Sequence, residues 1–282
     1  MLKKVNVPIK QLCSFGNSGH VKSLFIIEKI EELQQLIKEK TSFFILGKGS
    51  NTVINPNHHY THIIKLSPHL FPPHIEGNIC WLGAGYSITE SLKFLLKHKL
   101  SGLEFAIGIP ASIGGMLYMN FSCWNQTISD YLEKVQCMTP EGNILTINKK
   151  DLAFNYRKSS FQTNKYIILK AGFKLKNSPI EEIKKKSHAY LQKRKTEHPL
   201  NEKTFGSIFK NPKNHSTGKL LENLKLNSQP FNKVRLSKKH ANFMINHNNA
   251  SFENIKNYLE FIEKTVKEKI GLSLEREVIL IS

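Results

Sequence analysis

The chain has 282 residues, 40% of them hydrophobic, so it is long enough for two or three packed domains and too apolar to be disordered. Its 41 Lys and Arg residues against 22 Asp and Glu give a formal net charge of +19. The lysines are dispersed along the chain, which favours a solvated surface over a nucleic-acid footprint. No apolar run approaches the ~20 residues of a membrane span, and residues 1–10 contain no secretion signal. We therefore expect a cytoplasmic protein without membrane or nucleic-acid partners.

The cysteines and a cluster of histidines are the residues that could form a metal site or disulfides. None of the cysteines has C-x-x-C spacing, so they predict neither a zinc site nor a disulfide framework, and we expect buried free thiols. The histidines His58, His59 and His62 have no carboxylate nearby, so they favour a polar loop between strands over a metal site. We expect no metal. The cysteines are Cys13, Cys80, Cys123 and Cys137.

In the first half of the chain, the spacing of apolar residues predicts two helices. Residues 28–40 have helical spacing and are followed by a strand pattern at residues 43–46. A glycine turn at residues 83–85 precedes a capping box that begins at Ser87 and opens the second helix, which we expect Gly102 to end.

The second half changes from strand to helix character. Short strand patterns fill residues 135–175, and a lysine-rich helix over residues 179–195 connects to a separate domain. That domain contains a long amphipathic helix that stops at Gly271, followed by a final strand over residues 272–281. The predicted domains are residues 1–70, 71–197 and 198–282.

Two glycine-rich segments are candidates for a cofactor site. The loop Gly47-Lys48-Gly49-Ser50-Asn51 follows a strand, and its backbone N–H groups can converge on a pyrophosphate. The loop lacks the third glycine of the dinucleotide fingerprint, since Thr52 stands there, and alone it would be an ordinary turn. Residues 102–115 form a second glycine-rich stretch with few charges, which suits backbone lying flat against a planar aromatic cofactor.

Three polar residues lie in short motifs that have no structural need for them. Arg157, Ser207 and Glu277 supply a cation, a hydroxyl and a carboxylate, the groups needed to activate a carboxylate-bearing double bond and protonate it. Ser207 is followed by Lys210 and Asn211, which can meet a phosphate and a sugar amide. Residues 215–220 lack the glycine and hydroxyl of a triphosphate loop, so we interpret them as a capped helix start with Lys219 facing substrate.

Six motifs follow one another in chain order. They are Leu46-Gly47-Lys48-Gly49-Ser50-Asn51, Gly108-Ile109-Pro110-Ala111-Ser112-Ile113-Gly114-Gly115 with Tyr118-Met119-Asn120, Tyr156-Arg157-Lys158-Ser159, Gly206-Ser207-Ile208-Phe209-Lys210-Asn211-Pro212, Lys239-His240-Ala241-Asn242-Phe243 and Glu277-Val278. Together these motifs resemble the UDP-N-acetylenolpyruvoylglucosamine reductase family, and the short chain resembles its shorter, type II subgroup.

The resemblance implies an α+β fold in which two α/β subdomains form an FAD-binding unit of the vanillyl-alcohol-oxidase type and a C-terminal α+β domain binds substrate. It also implies non-covalent FAD, NADPH as electron donor, and reduction of UDP-N-acetylglucosamine enolpyruvate to UDP-N-acetylmuramate for peptidoglycan precursor synthesis. Apart from the resemblance, we expect a monomer. Arg157 would polarise the enolpyruvyl carboxylate, Ser207 would donate a proton, and Glu277 would assist. The cofactor-binding residues would be Gly47, Lys48, Gly49, Ser50, Asn51, Gly108, Ile109, Pro110, Ser112, Gly114 and Gly115, and the substrate-binding residues Tyr156, Lys210, Asn211, Lys219 and His240.

The chain departs from the family pattern where glycine is usual, at Lys48, at Ala111, at residues 121–124 and at residues 228–231. Two other functions stay open at this point. One is an FAD-dependent oxidase of the same fold. The other is a basic nucleic-acid-binding protein, which only the net charge supports, because the sequence contains no recognised nucleic-acid-binding motif.

Overall fold

The computed structural model describes residues 1–228 and 231–282, so Gln229 and Pro230, which belong to one of the departures from the family pattern, lie outside the described residues. Six α-helices occupy these ranges. They are α1 Ile30–Lys38, α2 Ile88–Lys97, α3 Ile113–Tyr118, α4 Ile180–Glu197, α5 Thr217–Asn223 and α6 Phe252–Ile270.

The strands of the same ranges are short, and several have only two residues. They are β1 Leu2–Pro8, β2 His20–Ile27, β3 Phe43–Ile45, β4 Thr52–Ile54, β5 His62–Leu66, β6 His74–Glu76, β7 Ile79–Gly83, β8 Leu100–Ser101, β9 Ser122–Cys123, β10 Gln126–Thr127, β11 Leu132–Met138, β12 Ile144–Asn148, β13 Phe154–Asn155, β14 Lys158–Ser159, β15 Ile167–Phe173, β16 Lys176–Asn177, β17 Val234–Leu236, β18 Met244–Asn246 and β19 Ile279–Ile281. The mixture of helix and strand confirms the predicted α+β class.

The chain divides into two compact units. Unit 1 comprises Met1–Lys4, Ser23–Lys48 and Tyr60–Lys193, and unit 2 comprises Val5–Lys22, Gly49–His59 and Arg194–Ser282. The boundary between Lys48 and Gly49 divides the first glycine loop, so its two halves are described with their own units. The division into three domains stays a prediction.

Unit 1 is built around a sheet of five antiparallel strands in the order β12-β11-β15-β7-β6. Beside this sheet, β5 pairs in parallel with β3 and with β2 in a second sheet, ordered β1-β2-β5-β3. One continuous core includes Leu33 and Leu36 of α1, Ile88 and Leu95 of α2, and buried residues of the five-stranded sheet such as Ala171. The apolar face of each helix therefore packs on a sheet, as the helical spacing predicts.

The core of unit 2 is covered by α6. The helix buries one face, which consists of Phe252, Ile255, Tyr258, Leu259, Ile262 and Val266. Ser251 caps its first turn by accepting a hydrogen bond from the N–H of Asn254, and Gly271 ends it in the left-handed conformation with φ +76°. The predicted helix and its glycine stop are therefore confirmed.

Two predicted boundaries are wrong. Helix α2 ends at Lys97 instead of Gly102, because Lys99 takes the left-handed conformation (φ +58°) that ends a helix and β8 begins directly after it. The final strand covers only Ile279–Ile281 instead of residues 272–281. The preceding residues make irregular main-chain bonds to the segment around Ile208, so they cannot form a regular strand ladder.

The histidines and cysteines differ from the sequence predictions at two positions. His62 belongs to strand β5 instead of a loop, where its Nδ1 lies 2.6 Å from the Ser23 hydroxyl oxygen. All cysteines are free as predicted, but Cys123 is partly exposed instead of buried.

Throughout the described ranges, none of the helices combines the length and apolar character needed to cross a lipid bilayer.

Candidate active site

Three glycine-containing loops of unit 1 pack directly against one another. A Cβ built on Gly47 would lie 2.6 Å from the Ser112 hydroxyl oxygen and 3.8 Å from the Gly115 Cα. The N–H of Gly114 donates to the Ala84 carbonyl at 2.9 Å, and a Cβ on Gly114 would lie 2.9 Å from the Ala84 Cβ. The structure therefore brings together the two predicted cofactor loops and a third loop around Ala84, with little room for side chains between them.

Helix α3 begins within this cluster. The Ser112 hydroxyl accepts the N–H of Gly115 at 3.3 Å and so caps the first turn of the helix. Ser112 is buried, whereas Gly108 and Pro110 are exposed on the loop that precedes it. Ser112 thus fixes the shape of the loop, a role that its assignment as a cofactor-binding residue did not anticipate.

The first glycine loop fits a pyrophosphate group chemically. Residues 47–51 include two glycines and no proline, so each residue of the loop carries a backbone N–H donor. Successive N–H donors on a glycine loop form a concave site for anions. The half in unit 1 contains the exposed Lys48, whose charge would also favour a phosphate. These features fit the pyrophosphate of FAD.

The half of this loop in unit 2 needs glycine for a different reason. Gly49 has φ +68°, and a Cβ there would lie 2.1 Å from the Leu12 carbonyl oxygen and 2.8 Å from the Cys13 Cα. The Gly49 carbonyl accepts the N–H of Ser14 at 3.0 Å. Gly49 is therefore crowded by the protein's own backbone, and this contact sets the position of Ser50 and Asn51.

Ser207 and Glu277 lie on neighbouring main-chain segments of unit 2. The N–H groups of Glu277 and Val278 both donate to the carbonyl of Ile208, at 2.8 and 3.3 Å. Strands β4 and β19 are parallel, so the residues before each strand meet at one end of the pair. There the Asn51 side-chain amide donates to the Glu277 carbonyl at 3.0 Å. This arrangement joins the glycine loop to both predicted catalytic residues of unit 2.

Asn242 clamps the segment that carries Ser207. The side-chain NH2 group of Asn242 donates to the Phe209 carbonyl at 2.8 Å, and its side-chain oxygen accepts the Phe209 N–H at 3.1 Å. The backbone carbonyl of Asn242 accepts the Ile208 N–H at 2.9 Å. Asn242 is 3% exposed, so these bonds form in a site sheltered from water. Ser207 itself is partly exposed and forms an antiparallel bridge with Phe243.

The predicted substrate-binding residues after Ser207 already have protein partners. The Lys210 ammonium pairs with the Glu275 carboxylate at 2.6 Å, and the Asn211 side-chain oxygen accepts the Thr217 N–H at 3.0 Å. The Thr217 hydroxyl donates to the Lys210 carbonyl at 2.8 Å. Lys219 is exposed on α5. Lys210 and Asn211 therefore hold the start of α5 against the Ser207 segment.

The imidazole of His240 packs against α5. A Cβ on Gly218 would lie 2.9 Å from the His240 ring, and the His240 Nδ1 accepts the Asn242 N–H at 3.3 Å. Burial lowers the pKa of His240, because a charged imidazolium loses hydration there. The neighbouring His198 ring lies 5.9 Å away, and burial, with the charges of Arg194, His240 and Lys239, lowers its pKa to about 4.

Arg157 belongs to unit 1, where it occupies the tip of the hairpin formed by β13 and β14 together with Tyr156. It has φ +55°, and its guanidinium lies 5.2 Å from the Tyr156 ring centroid and 5.8 Å from that of Phe121. Its Nη1 donates to the carbonyl and the hydroxyl of Ser122, at 3.0 and 2.8 Å. The guanidinium is thus held by a hairpin turn, two rings and Ser122.

The candidate residues that sequence reasoning missed are Asn242, Ser122 and the loop around Ala84. Asn242 stands in a motif whose histidine alone received a role, and Ser122 stands in the stretch that departs from the family's glycines. The glycine turn at residues 83–85 was visible as a turn. No sequence signal connected it with the other two loops, because that contact depends on the tertiary fold.

The chain also resembles known proteins along its length. Residues 22–148 match the family model of an FAD-binding domain, and residues 198–281 match that of the C-terminal domain of UDP-N-acetylenolpyruvoylglucosamine reductase. The UDP-N-acetylenolpyruvoylglucosamine reductase of Caldanaerobacter subterraneus subsp. tengcongensis is 36% identical over 97% of this chain and 92% of its own. The chain belongs to this family.

Other family members also match this chain over almost its whole length. Reductase 2 of Bacillus cereus (strain ATCC 10987 / NRS 248) is 38% identical over 97% of this chain and 92% of its own, and the Staphylococcus aureus (strain COL) reductase is 32% identical over 99% and 92%. The crystal structure of the Thermus caldophilus reductase matches with a TM-score of 0.85 and 27% identity, covering 100% of this chain and 98% of that one. This member of the reductase family is therefore an FAD-dependent oxidoreductase, as its motifs predicted.

Proposed function

We propose that the chain reduces UDP-N-acetylglucosamine enolpyruvate to UDP-N-acetylmuramate with NADPH as electron donor. Membership of the reductase family supports the reaction, and the observation that carries the site assignment is the junction of the Ser207 and Glu277 segments with Asn51 at the end of β4 and β19. Bound FAD would take hydride from NADPH and supply it to C3 of the enolpyruvyl group. The residues of the chain supply binding, orientation and the proton.

Each of the three predicted catalytic residues has a separate task. Arg157 holds the enolpyruvyl carboxylate, and its positive charge stabilises the electron density that moves into that carboxylate as C3 gains hydride. Ser207 then gives its hydroxyl proton to C2, which completes the lactyl ether. A serine hydroxyl is a weak acid, so Glu277 assists by orienting that hydroxyl and relaying a proton to it.

The remaining predicted residues bind cofactor and substrate. We assign the N–H groups of residues 47–51 to the FAD pyrophosphate, and the backbone of residues 108–115 to the flavin ring. Tyr156 would contact the substrate beside Arg157. Lys210, Asn211, Lys219 and His240 would meet the nucleotide sugar, with Lys210 and Asn211 positioned by their present bonds to Glu275 and Thr217.

A half-reaction experiment tests this function. The purified, FAD-loaded protein is reduced with NADPH without oxygen and then mixed with the enolpyruvyl substrate or with oxygen. The proposal predicts fast reoxidation by the substrate and formation of the lactyl product. Reoxidation by oxygen but not by the enolpyruvyl substrate would instead support an oxidase. We also infer that the enzyme works as a monomer in the cytoplasm, which sedimentation and cell fractionation would test.

A further inference from the structure

We propose that Ser122 is a positioning residue that orients the Arg157 guanidinium for the substrate carboxylate. The inference rests on the proposed function, since it assigns a role in the same reduction. Its starting point is the pair of hydrogen bonds from the Arg157 Nη1 to the Ser122 carbonyl at 3.0 Å and to the Ser122 hydroxyl at 2.8 Å. The first acceptor is present with any residue at position 122, whereas the second requires a hydroxyl.

Arg157 needs such a partner because of where it lies. In the β13/β14 hairpin, Asn155 pairs with Lys158, which leaves Tyr156 and Arg157 as the two residues of the turn. A long side chain at a turn tip has many rotamers, and ordering it costs conformational entropy. The rings of Tyr156 and Phe121 lie beside the guanidinium, but ring contacts restrain a cation less sharply in direction than hydrogen bonds do.

Ser122 is itself held by a second hairpin. Strands β9 and β10 pair Ser122 with Thr127 and Cys123 with Gln126. The Tyr131 hydroxyl donates to the Gln126 side-chain oxygen at 2.9 Å. The ring of Trp124, at the hairpin tip, stacks on that of Tyr190 of α4 with the centroids 5.3 Å apart. The hydroxyl that receives the guanidinium is therefore anchored on both sides.

The β13/β14 hairpin is also tied to the chain that leads from α3 into β9. The Asn120 side-chain amide donates to the Asn155 carbonyl at 2.8 Å, and the Ser159 hydroxyl donates to the Tyr118 carbonyl at 2.7 Å. The Gln162 side-chain amide lies 2.8 Å from the Tyr118 carbonyl and 3.2 Å from the Arg157 carbonyl, both within its reach as a donor. These bonds keep both backbones in register without Ser122, so removal of its hydroxyl should loosen the guanidinium and leave the hairpins in place.

The expected defect is confined to one half-reaction. Both bonds to Ser122 use Nη1, so they set the rotation of the guanidinium plane. If the planar guanidinium is misoriented, its interaction with the substrate carboxylate weakens more in the transition state, where charge develops, than in the bound ground state. The variant should therefore lower kcat more than it raises KM. Because the carbonyl acceptor remains, we expect Ser122→Ala to slow flavin reoxidation by the enolpyruvyl substrate about 10-fold, with KM changed less than about 2-fold.

The experiment compares Ser122→Ala with two other single variants and with a double-mutant cycle. Ser122→Thr keeps the hydroxyl on a strand residue and should retain the wild-type rate. Ser178→Ala removes another hydroxyl that bonds a charged side chain, that of Glu182 at 2.9 Å, and should change nothing. In an Arg157→Ala background, adding Ser122→Ala should cause no further loss, because the group that it orients is absent.

A binding measurement separates positioning from folding. Calorimetric titration of the oxidised, FAD-loaded Ser122→Ala protein with substrate, without NADPH, should give an affinity within about 2-fold of wild type, and reduction by NADPH should keep its rate. A wild-type reoxidation rate in Ser122→Ala, an equal loss in the Arg157→Ala background, or a parallel loss of NADPH reduction would each overturn the proposal. Failure of the wild type itself to be reoxidised by the substrate would instead refute the proposed function.

Discussion

Replacing Gly49 with alanine tests the structural basis of the first glycine loop. The added Cβ would lie 2.1 Å from the Leu12 carbonyl oxygen, whereas ordinary contacts begin at 3.4 Å, a shortfall of 1.3 Å. The left-handed backbone, with φ +68°, costs an alanine about 1–2 kcal/mol. Displacing the backbone at Leu12 and Cys13 adds about 1–3 kcal/mol, by analogy with overpacked cores. We therefore expect Gly49→Ala to lose roughly 2–5 kcal/mol of unfolding free energy.

Gly271 provides a matched control in the same unit. It has φ +76°, but no atom lies within 4 Å of the position that an added Cβ would occupy, so Gly271→Ala should lose only the backbone cost of about 1–2 kcal/mol. Urea unfolding measures both losses, and the ratio of flavin absorbance to protein measures FAD retention. Gly49→Ala should retain less FAD than wild type, and Gly271→Ala should retain all of it. Equal stability losses and full FAD retention in both variants would refute this explanation of the loop.

Three further predictions concern the rest of the site. Asn242→Ala removes both side-chain bonds to Phe209 and should lower the unfolding free energy by about 2–4 kcal/mol, measured in urea, while the exposed Asn248→Ala should change it by less than about 0.5 kcal/mol. Arg157→Lys keeps the charge but loses the planar fork, so stopped-flow spectra should show slower reoxidation by substrate with unchanged reduction by NADPH. The pKa of His198 is about 4 in the folded protein, below its unfolded value of about 6.5. Its contribution to the unfolding free energy is therefore complete above about pH 6.5 and is lost as the pH falls towards 4. This loss is on the order of 3 kcal/mol. Urea titrations at several pH values should show this slope, and His198→Gln should flatten it.

Sequence patterns predicted correctly those elements that are determined by residues close together in the sequence. The spacing of apolar residues in α6 and the glycine after it specify both the buried face and the end of that helix. The end of α2 could not be predicted in this way, because Lys99 takes a left-handed conformation that sequence normally assigns to glycine. The missing part of the final strand has a similar cause. Its residues bond irregularly to the chain around Ile208, and this pairing partner is about 70 positions away in sequence.

The candidate site shows the same limit. The motifs identified Ser207 and Glu277 as candidates. Their segments meet through main-chain bonds from Glu277 and Val278 to the Ile208 carbonyl, a long-range contact that no local pattern encodes. Sequence reasoning assigned the loop that contains Gly49 to a cofactor pyrophosphate, and it did not predict that the chain's own backbone at Leu12 would exclude a side chain there. Buried clamps such as Asn242 escape prediction because an asparagine in a motif does not reveal which backbone groups it will satisfy.

The rate at which substrate reoxidises the NADPH-reduced protein tests the central claim most directly. Rapid mixing without oxygen in deuterated water follows the flavin band in the wild type and in Ser207→Ala, and mass and NMR analysis locates the deuterium in the product. We predict solvent deuterium at C2 with the NADPH-derived hydrogen at C3, and a reoxidation rate about 10²–10⁴-fold lower in Ser207→Ala with unchanged reduction by NADPH. A Ser207→Ala protein that is reoxidised at the wild-type rate, or solvent deuterium at C3, would contradict the account.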